Sequence, residues 1–293
     1  MALRAKKPEV KEARLKALLY ADKGAGKTHF CCSIPETYYI DTEGLEDYPH
    51  LVGKLRDNKG DLVYLTEIEE IIKEVHELLS TKHNFKTVVI DSISFPYAWL
   101  AQTETERLVK KSPHTEGTEF GANLAKAKRL IFQLGILLSR LDMNVIVVAH
   151  EKAKFIDNKD AGKTFDVNDK LAYSLGAVWH MRLQGKKRKL FIEKSRYSEL
   201  QTGEIIDFDN GYEVVKQLFG ENIFLREVKV EPLVKPEQLR ELTRLIELLR
   251  IPEEKVAKLL TNAKAISMEE ISESFAQKAI DKYKSLLTIG DAA

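Results

Sequence analysis

Residues 21–28, Ala-Asp-Lys-Gly-Ala-Gly-Lys-Thr, carry the clearest chemical signal in the chain. Small residues let successive backbone N–H groups curl around an anion. In this pattern Lys27 reaches the β- and γ-phosphates of a nucleotide, and the Thr28 hydroxyl binds Mg²⁺. The octet follows an apolar run and precedes a short helix, which is the context that a phosphate loop requires. We therefore expect ATP and Mg²⁺ as ligands, and the alternative is a glycine-rich surface turn. The residues expected to contact the nucleotide are Ala21, Asp22, Lys23, Gly24, Ala25, Gly26, Lys27, Thr28 and His29.

Three further side chains follow apolar runs and are candidates for the chemistry of phosphoryl transfer. Asp91 ends such a run and is expected to bind Mg²⁺ together with Thr28. Glu43 follows another, and a carboxylate beside a γ-phosphate can hold and deprotonate the attacking water. His150 follows a third, where its imidazole can donate a hydrogen bond to the γ-phosphate and sense its loss. The alternatives are a solvated strand end for Asp91, turn residues for Asp41 and Glu43, and a structural histidine.

The elements that must position these side chains alternate between strands and helices. Apolar runs predict strands at 15–20, 37–40, 62–65, 87–90 and 145–149. Apolar residues at helical spacing predict helices over 67–80 and 120–138. This alternation indicates a mainly parallel sheet with helices packed on it. His150, Asp91 and Glu43 would then meet at one edge of the sheet.

After residue 149 the pattern changes. Residues 151–170 are polar, and we predict a long loop there, which usually means either function or disorder. Two β-like runs follow at 177–183 and 189–193, with a hairpin turn predicted over 184–187. The core is expected to close near Val228.

Two prolines four residues apart mark residues 231–236 as a linker, because proline resists both helix and central strand. Beyond it, three amphipathic segments predict a small helical module whose first helix starts behind Pro236. We therefore expect a core over 1–230, the linker over 231–236 and an all-α module over 237–293.

Composition excludes several classes of protein. The 293 residues include 46 basic and 45 acidic side chains, so the net charge of +1 argues against a uniformly basic nucleic-acid binder but not against local basic patches. No apolar run of about 18 residues occurs that could span a membrane. Residues 1–16 are charged where a signal peptide would be apolar, so we expect a cytoplasmic protein. Cys31 and Cys32 are adjacent and are expected to be reduced thiols.

The order of the motifs resembles the RecA-like recombinase core, and most closely the phage-encoded RecA/Rad-like ATPases of the Sak type, a group associated with single-strand annealing and recombination. The resemblance spans about residues 15–197. Its motifs are the phosphate loop, Ile-Asp-Thr-Glu-Gly at 40–44, Val-Val-Ile-Asp-Ser-Ile at 88–93 and Val-Ala-His-Glu at 148–151. A phage origin would place the protein in the host cytoplasm.

The resemblance implies roles for single residues. Lys27 and Thr28 would bind phosphate and Mg²⁺, Asp91 would bind Mg²⁺, and Glu43 would activate the water. His150 stands where bacterial RecA has a glutamine that reports the γ-phosphate to the DNA-binding loop.

Two further sets of residues follow from the resemblance. Lys194-Ser-Arg196 resembles the Lys-x-Arg element that reaches a neighbouring subunit's ATP, where cations stabilise charge that develops in transfer. The alternative is a basic strand end on a solvated face.

In this family the loops after the Asp91 and His150 strands face single-stranded DNA, and cations and aromatics there can bind phosphates and stack on bases. Lysine-rich loops also occur simply as soluble surface. The expected DNA-binding residues are Lys110, Lys111, Lys152, Lys154, Phe155, Lys163, Lys186, Lys187 and Arg188.

The sequence thus predicts an α/β protein with a RecA-like P-loop core, a mainly parallel central sheet and a small C-terminal helical module. We expect a Mg²⁺-dependent, DNA-stimulated ATPase that assembles into a ring or filament on single-stranded DNA and promotes annealing or strand exchange. A single-strand-binding protein, DNA and the core itself are candidate partners of the module. The alternatives are a helicase-like or regulatory ATPase, a small-molecule kinase, and a nucleotide-switched adaptor that does not hydrolyse ATP.

Overall fold

A mainly parallel sheet lies at the centre of the computed structural model, which describes residues 7, 12–112, 116–157 and 159–290. The strands are β1 (Lys16–Ala21), β2 (Thr37–Asp41), β3 (Asp61–Tyr64), β4 (Thr87–Asp91), β5 (Asn144–Ile156), β6 (Lys159–Phe165), β7 (Ala177–Gln184), β8 (Lys187–Ser195) and β9 (Ile205–Phe208). Across the described ranges the order is β3-β2-β4-β5-β1-β7-β8-β9, with β6 paired to β5. The strands from β3 to β7 in this order are parallel, whereas β6, β8 and β9 pair antiparallel. The predicted α/β class with a mainly parallel central sheet is confirmed.

Helices cover both faces of the sheet. The helices of the core are α1 (Lys27–Cys31), α2 (Pro49–Asp57), α3 (Ile68–Ser80), α4 (Ser94–Lys111), α5 (Ala125–Arg140), α6 (Asp169–Ser174), α7 (Gly211–Phe219) and α8 (Asn222–Leu225). Helices α3 to α6 pack on one face and the others on the opposite face. Strand side chains alternate between these two layers, as Leu18 and Leu19 of β1 illustrate. Both layers are therefore dry, which explains the unbroken apolar runs.

The segment 151–170 is a β-hairpin followed by a helix, so the prediction of a long loop was wrong. β5 continues to Ile156 and pairs antiparallel with β6, with Glu151 opposite Phe165. The side chain of Asn168 then accepts a hydrogen bond from the backbone N–H of Lys170 and caps α6. The hairpin is largely exposed on both faces, so no alternation of apolar and polar residues announces its strands.

Other differences from the predicted elements concern helices. The helix predicted over 120–138 begins at Ala125, and Glu119–Leu124 is a 3₁₀ helix. The chain after β4 forms the 18-residue helix α4, where the resemblance implied a DNA-facing loop. Helices α2, α7 and α8 and strand β9 were not predicted.

Cys31 and Cys32 are buried at the end of α1 and form no disulfide. Burial raises the pKa of Cys32 to about 12, and burial also raises that of Cys31. Both therefore pack as neutral thiols.

The C-terminal residues form α9 (Pro236–Leu248), α10 (Glu253–Ala263) and α11 (Glu273–Gly290), around a small core of their own. The segment before them is held in place: the Glu231 N–H donates to the Leu79 carbonyl at 2.7 Å, and Leu233 packs on the main core. Arg140 of α5 lies 3.2 Å from the Glu231 carboxylate and donates to the Glu270 carbonyl. Among the helices in the described ranges, none is long and apolar enough to cross a membrane.

Candidate active site

The phosphate loop joins the end of β1 to the start of α1, as predicted from its pattern. Gly24 and Gly26 have φ angles of 74° and 100°, which glycine adopts without the strain of a Cβ. The Lys27 ammonium donates to the carbonyl oxygens of Ala21, at 3.0 Å, and Asp22, at 3.1 Å, so the side chain folds back over the loop. Burial lowers the pKa of Lys27, against the opposing effect of Asp91 and nearby acids.

Asp91 lies at the end of β4, buried beneath the phosphate loop. One of its carboxylate oxygens accepts hydrogen bonds from the Thr28 hydroxyl, at 2.8 Å, and from the Tyr39 hydroxyl, at 2.5 Å. Burial raises the pKa of Asp91, and these two hydrogen bonds oppose the rise. Tyr39 was not predicted, although its place two residues before the end of the neighbouring strand β2 was a usable signal.

The oxygen atoms of Thr28 and Asp91 are suitable ligands for Mg²⁺. Two protein oxygens do not complete the coordination of a metal ion, so the protein alone does not form a closed metal site. Mg²⁺ typically takes one or two protein oxygens and completes its shell with water and substrate phosphates. Within the described ranges no three His, Cys, Asp or Glu side chains are grouped as a metal site. The hydroxyl and carboxylate in hydrogen-bond contact therefore match a nucleotide-dependent Mg²⁺ site.

The turn after β2 gives its two acids different roles. Asp41 accepts hydrogen bonds from the backbone N–H groups of Glu43, Gly44 and Leu45, at 3.0, 3.1 and 2.6 Å, so Asp41 holds the turn. The Glu43 side chain points instead toward β5, with an oxygen 2.6 Å from His150 Nε2.

Glu43 is also held from β4. The Ser92 hydroxyl donates to the same oxygen of Glu43 and lies 3.3 Å from His150 Nε2. The hydrogen bond from His150 is the main reason that the pKa of Glu43 falls below its ordinary value. Glu43 follows β2, Ser92 follows β4 and His150 lies on β5. Ser92 was missed although it follows Asp91 directly. Glu43 is thus an ionised carboxylate beside the Thr28 and Asp91 site, with which it shares a cavity.

A backbone clamp holds these strand ends together. The Thr42 hydroxyl accepts from the Ser92 N–H at 2.9 Å and donates to the Ser92 carbonyl at 2.8 Å. The Thr42 N–H in turn donates to the Asp91 carbonyl at 2.9 Å. These hydrogen bonds of Thr42 therefore fix the position of Glu43, the next residue, relative to Asp91.

Lys194 and Arg196 lie far from the phosphate loop of their own chain. Ala17, at the start of β1, is level with Ala177 of β7, and Ala177 pairs with Ser195 of β8. Because β8 runs antiparallel to β7, its last residues lie at the edge of the sheet opposite the phosphate loop.

Both cations hold carbonyls near the end of α6. The Lys194 ammonium donates to the carbonyls of Ala172 and, at 2.8 Å, Leu175, and burial lowers the pKa of Lys194. The Arg196 guanidinium donates to the Tyr173 carbonyl at 3.1 Å. Neither contact involves the candidate active site of the same chain.

The residues expected to bind DNA are distributed over three elements. Lys110 and Lys111 form the last turn of α4, so they do not lie on a loop. The β5–β6 hairpin carries Lys152, Lys154, Phe155 and Lys163. Of these, Lys152 lies 3.0 Å from Asp166 and Lys163 lies 3.4 Å from Glu151.

A cleft of 570 Å³ lies between this hairpin and α6. Phe155, 65% exposed, and Tyr173, 69% exposed, both line it, as do Lys152, Lys154 and Lys194. Tyr173 was not predicted. Aromatic rings and lysines therefore share one open surface.

The basic cluster on the β7–β8 hairpin is divided. Lys186 lies in the turn and is exposed. Lys187 lies 3.9 Å from Asp207 of β9. Arg188 does not share their surface, because its side chain lies against Gly26 of the phosphate loop.

A phosphate loop between the first strand and first helix of a mainly parallel sheet, with an aspartate at the end of a nearby parallel strand, defines the class of P-loop nucleotide-binding proteins. The family model AAA_24, described as an AAA domain, matches residues 13–197, more than half of the chain, and the chain belongs to this family. No curated protein matches the chain. Among solved structures, the crystal structure of the RadB recombinase is similar over 66% of this chain and 85% of that one, with 19% identity and a TM-score of 0.41.

Proposed function

We propose that this protein is a Mg²⁺-dependent ATPase that assembles on single-stranded DNA and promotes annealing or strand exchange, as in the phage-encoded Sak-type recombination group. The observation that carries the ATPase proposal is the convergence of Lys27, Thr28, Asp91, Glu43 and His150 at one edge of the sheet. The DNA proposal is supported by the aromatic and basic cleft between the β5–β6 hairpin and α6.

Lys27 and Thr28 would hold the nucleotide with the backbone of the phosphate loop. Bound Mg²⁺ would supply positive charge to the phosphate oxygens. Asp91 is buried, but donors from Thr28 and Tyr39 favour its ionised form, which metal binding requires.

Glu43 would act as general base and take a proton from the attacking water. His150 on β5 and Ser92 after β4 would orient its carboxylate by hydrogen bonds. A positioned general base contributes about 10²- to 10⁴-fold in rate. His150 would also donate a hydrogen bond to the γ-phosphate, and this hydrogen bond would be lost when the γ-phosphate leaves.

The path from His150 to the DNA surface would follow β5. The next residue, Glu151, lies 2.6 Å from the buried His180 of β7 and 3.4 Å from Lys163 of β6. A change at His150 would therefore act on the base of the hairpin that presents Phe155. This supports a link between ATP turnover and DNA contact.

Lys194 and Arg196 support a site completed by a neighbouring subunit. They lie at the edge of the sheet opposite their own phosphate loop, so contact with ATP would require a second copy of the chain. Cations supplied in this way would tie hydrolysis to assembly into a ring or filament. We propose that the C-terminal helical module binds a further partner, a single-strand-binding protein.

ATP hydrolysis measured with and without single-stranded DNA, together with imaging of the assembly, tests the proposal. We expect DNA to stimulate hydrolysis and Lys27→Ala to abolish it while the far-UV circular dichroism spectrum stays unchanged. Lys73→Ala, an exposed lysine on α3, is the control and should keep the wild-type rate. Unchanged hydrolysis in Lys27→Ala would refute the phosphate site, and phosphate transfer to a small molecule without a DNA effect would favour a kinase.

A further inference from the structure

The β7–β8 hairpin brings an arginine to the phosphate loop of the same chain. On β8, Lys187 and Lys189 point to one face, where they lie 3.9 and 3.7 Å from the Asp207 carboxylate. Side chains alternate along a strand, so Arg188 between them points to the other face. That face carries Leu190, which packs in the same layer as α1.

The side chain of Arg188 lies directly against Gly26. A Cβ placed on Gly26 would be 2.7 Å from Arg188 Nε and 3.4 Å from its Cδ. Gly26 immediately precedes Lys27, whose amine is assigned to the phosphates. The guanidinium of Arg188 is therefore at the phosphate loop and not on the outer surface of the hairpin.

Arg188 Nε is buried and makes no hydrogen bond within the residues that the structure describes. A buried donor on a charged group without a partner costs free energy. Nearly all such groups in folded proteins have a partner, so an unpaired one indicates a bound water, ion or ligand. Arg188 has the chemistry of an anion ligand, because a guanidinium can donate two parallel hydrogen bonds to a phosphate.

Two more ionisable groups, His29 and Lys54, lie within electrostatic range of Arg188. Lys54 Nζ of α2 is 3.0 Å from His29 Nε2 of α1. Burial lowers the pKa of His29, and the charges of Lys54 and Arg188 lower it further. Within the described residues, the ion pairs of this basic cluster are made by Lys187 and Lys189 with Asp207, and none is made by Arg188 or Lys54. In the described ranges the protein therefore gives neither cation an ion-pair partner.

We propose that Arg188, supported by His29 and Lys54, forms a second phosphate-binding subsite, which holds the phosphate chain of a nucleoside di- or triphosphate against the phosphate loop in cis. The subsite rests on the proposed function, because it takes the same nucleotide. It removes Arg188 from the residues expected to bind DNA. It also makes the β7–β8 hairpin a part of the nucleotide site, so bound nucleotide would restrain the hairpin.

The test is the affinity for a fluorescent ADP analogue, measured by anisotropy with Mg²⁺ present. Arg188→Met keeps the aliphatic stem against Gly26 and should raise the dissociation constant at least tenfold. Arg188→Lys, which keeps the charge but not the fork of donors, should lie between Arg188→Met and wild type. Arg56→Met, which removes an arginine of α2 that is 81% exposed, is the matched control and should bind within twofold of wild type.

Each outcome separates this inference from the proposed function. If wild-type protein binds no nucleotide, the proposed function fails and the subsite fails with it. If wild type binds and Lys27→Ala weakens binding, but Arg188→Met binds like wild type, only the subsite is refuted. Loss of affinity for single-stranded DNA with unchanged nucleotide affinity would make Arg188 a DNA contact and overturn the inference.

A thermal melt without nucleotide distinguishes a ligand contact from a structural arginine. Arg188→Met should melt at or above the wild-type temperature, because the substitution removes a buried donor that has no partner. A lower melting temperature together with unchanged nucleotide affinity would assign Arg188 to the fold and not to the ligand. If Arg188→Met does not fold, Arg188→Lys carries the test, and wild-type affinity in that variant would refute a need for the guanidinium fork.

Discussion

Glu43→Gln is the substitution that most directly examines the proposed chemistry. Glutamine keeps the length of the side chain and an oxygen that can accept from Ser92 or His150, but it cannot take a proton from water. Since a positioned general base contributes about 10²- to 10⁴-fold, we expect the turnover number to fall by that factor. Nucleotide affinity should stay within about threefold of wild type, because Lys27 and Thr28 are untouched.

The fold should tolerate this change. The Glu43 side chain is 44% exposed, so the hydrogen bonds that it accepts are partly shared with water. A loss of about 1 kcal/mol would lower the melting temperature by roughly 2–4 °C in a chain of this size. A larger fall would show that Glu43 is part of the scaffold, like its neighbour Asp41.

The dependence on pH gives a second readout of the same residue. The hydrogen bond from His150 holds the pKa of Glu43 below its ordinary value, so the carboxylate is ionised at neutral pH. A group with a depressed pKa keeps its charge above its ordinary pKa and loses it only as the pH falls through the depressed one. Wild-type turnover should therefore show no loss assignable to Glu43 between about pH 5 and 9.

Single-turnover hydrolysis in Glu43→Gln, with Glu46→Gln as an exposed acid of the same turn, completes the experiment. We expect wild-type rates in Glu46→Gln and slow hydrolysis in Glu43→Gln. Wild-type rates in Glu43→Gln would refute the assignment and point to another base. A loss of nucleotide binding would instead show that Glu43 is needed to build the phosphate site.

Three further predictions follow from the same geometry. Asp91→Asn should weaken Mg²⁺-dependent nucleotide binding at least tenfold in a Mg²⁺ titration, and an unchanged Mg²⁺ midpoint would contradict its role as a ligand. Mixing Arg196→Ala with Lys27→Ala protein should partly restore hydrolysis, because each supplies what the other lacks across an interface, and no rescue at any ratio would argue against action between subunits. Phe155→Ala should weaken binding of single-stranded DNA in an anisotropy assay by about 1–3 kcal/mol, the contribution of one stacked base. Tyr64→Ala, which removes another exposed aromatic, should leave that affinity unchanged, and equal losses in both variants would refute a specific stacking role for Phe155.

The sequence by itself was sufficient to predict which residues meet at the centre of the candidate site. The spacing of small residues before Lys27 and Thr28 is local, and so is the position of Asp91 at the end of an apolar run. Parallel strands bring their carboxyl ends to one edge of the sheet, so the meeting of these residues with Glu43 and His150 followed from the order of elements. The distinct roles of Asp41 and Glu43 did not follow, because they depend on which carboxylate faces the backbone of the turn.

What only the tertiary structure decided involves antiparallel pairing and contacts between distant segments. Residues 151–170 form a hairpin whose polar strands are held by backbone hydrogen bonds, which composition does not encode. The register of β8 against β7 places Arg188 at the phosphate loop and Lys194 at the opposite edge of the sheet. Residues 187–189 are all basic, so the sequence does not show that Arg188 differs from the lysines on either side of it. A shift of one residue in that register would reverse which side chains face α1. The contacts of β8 with α1 and the phosphate loop join segments that are distant in sequence, so the spacing of residues 187–189 alone does not show which of them faces the loop.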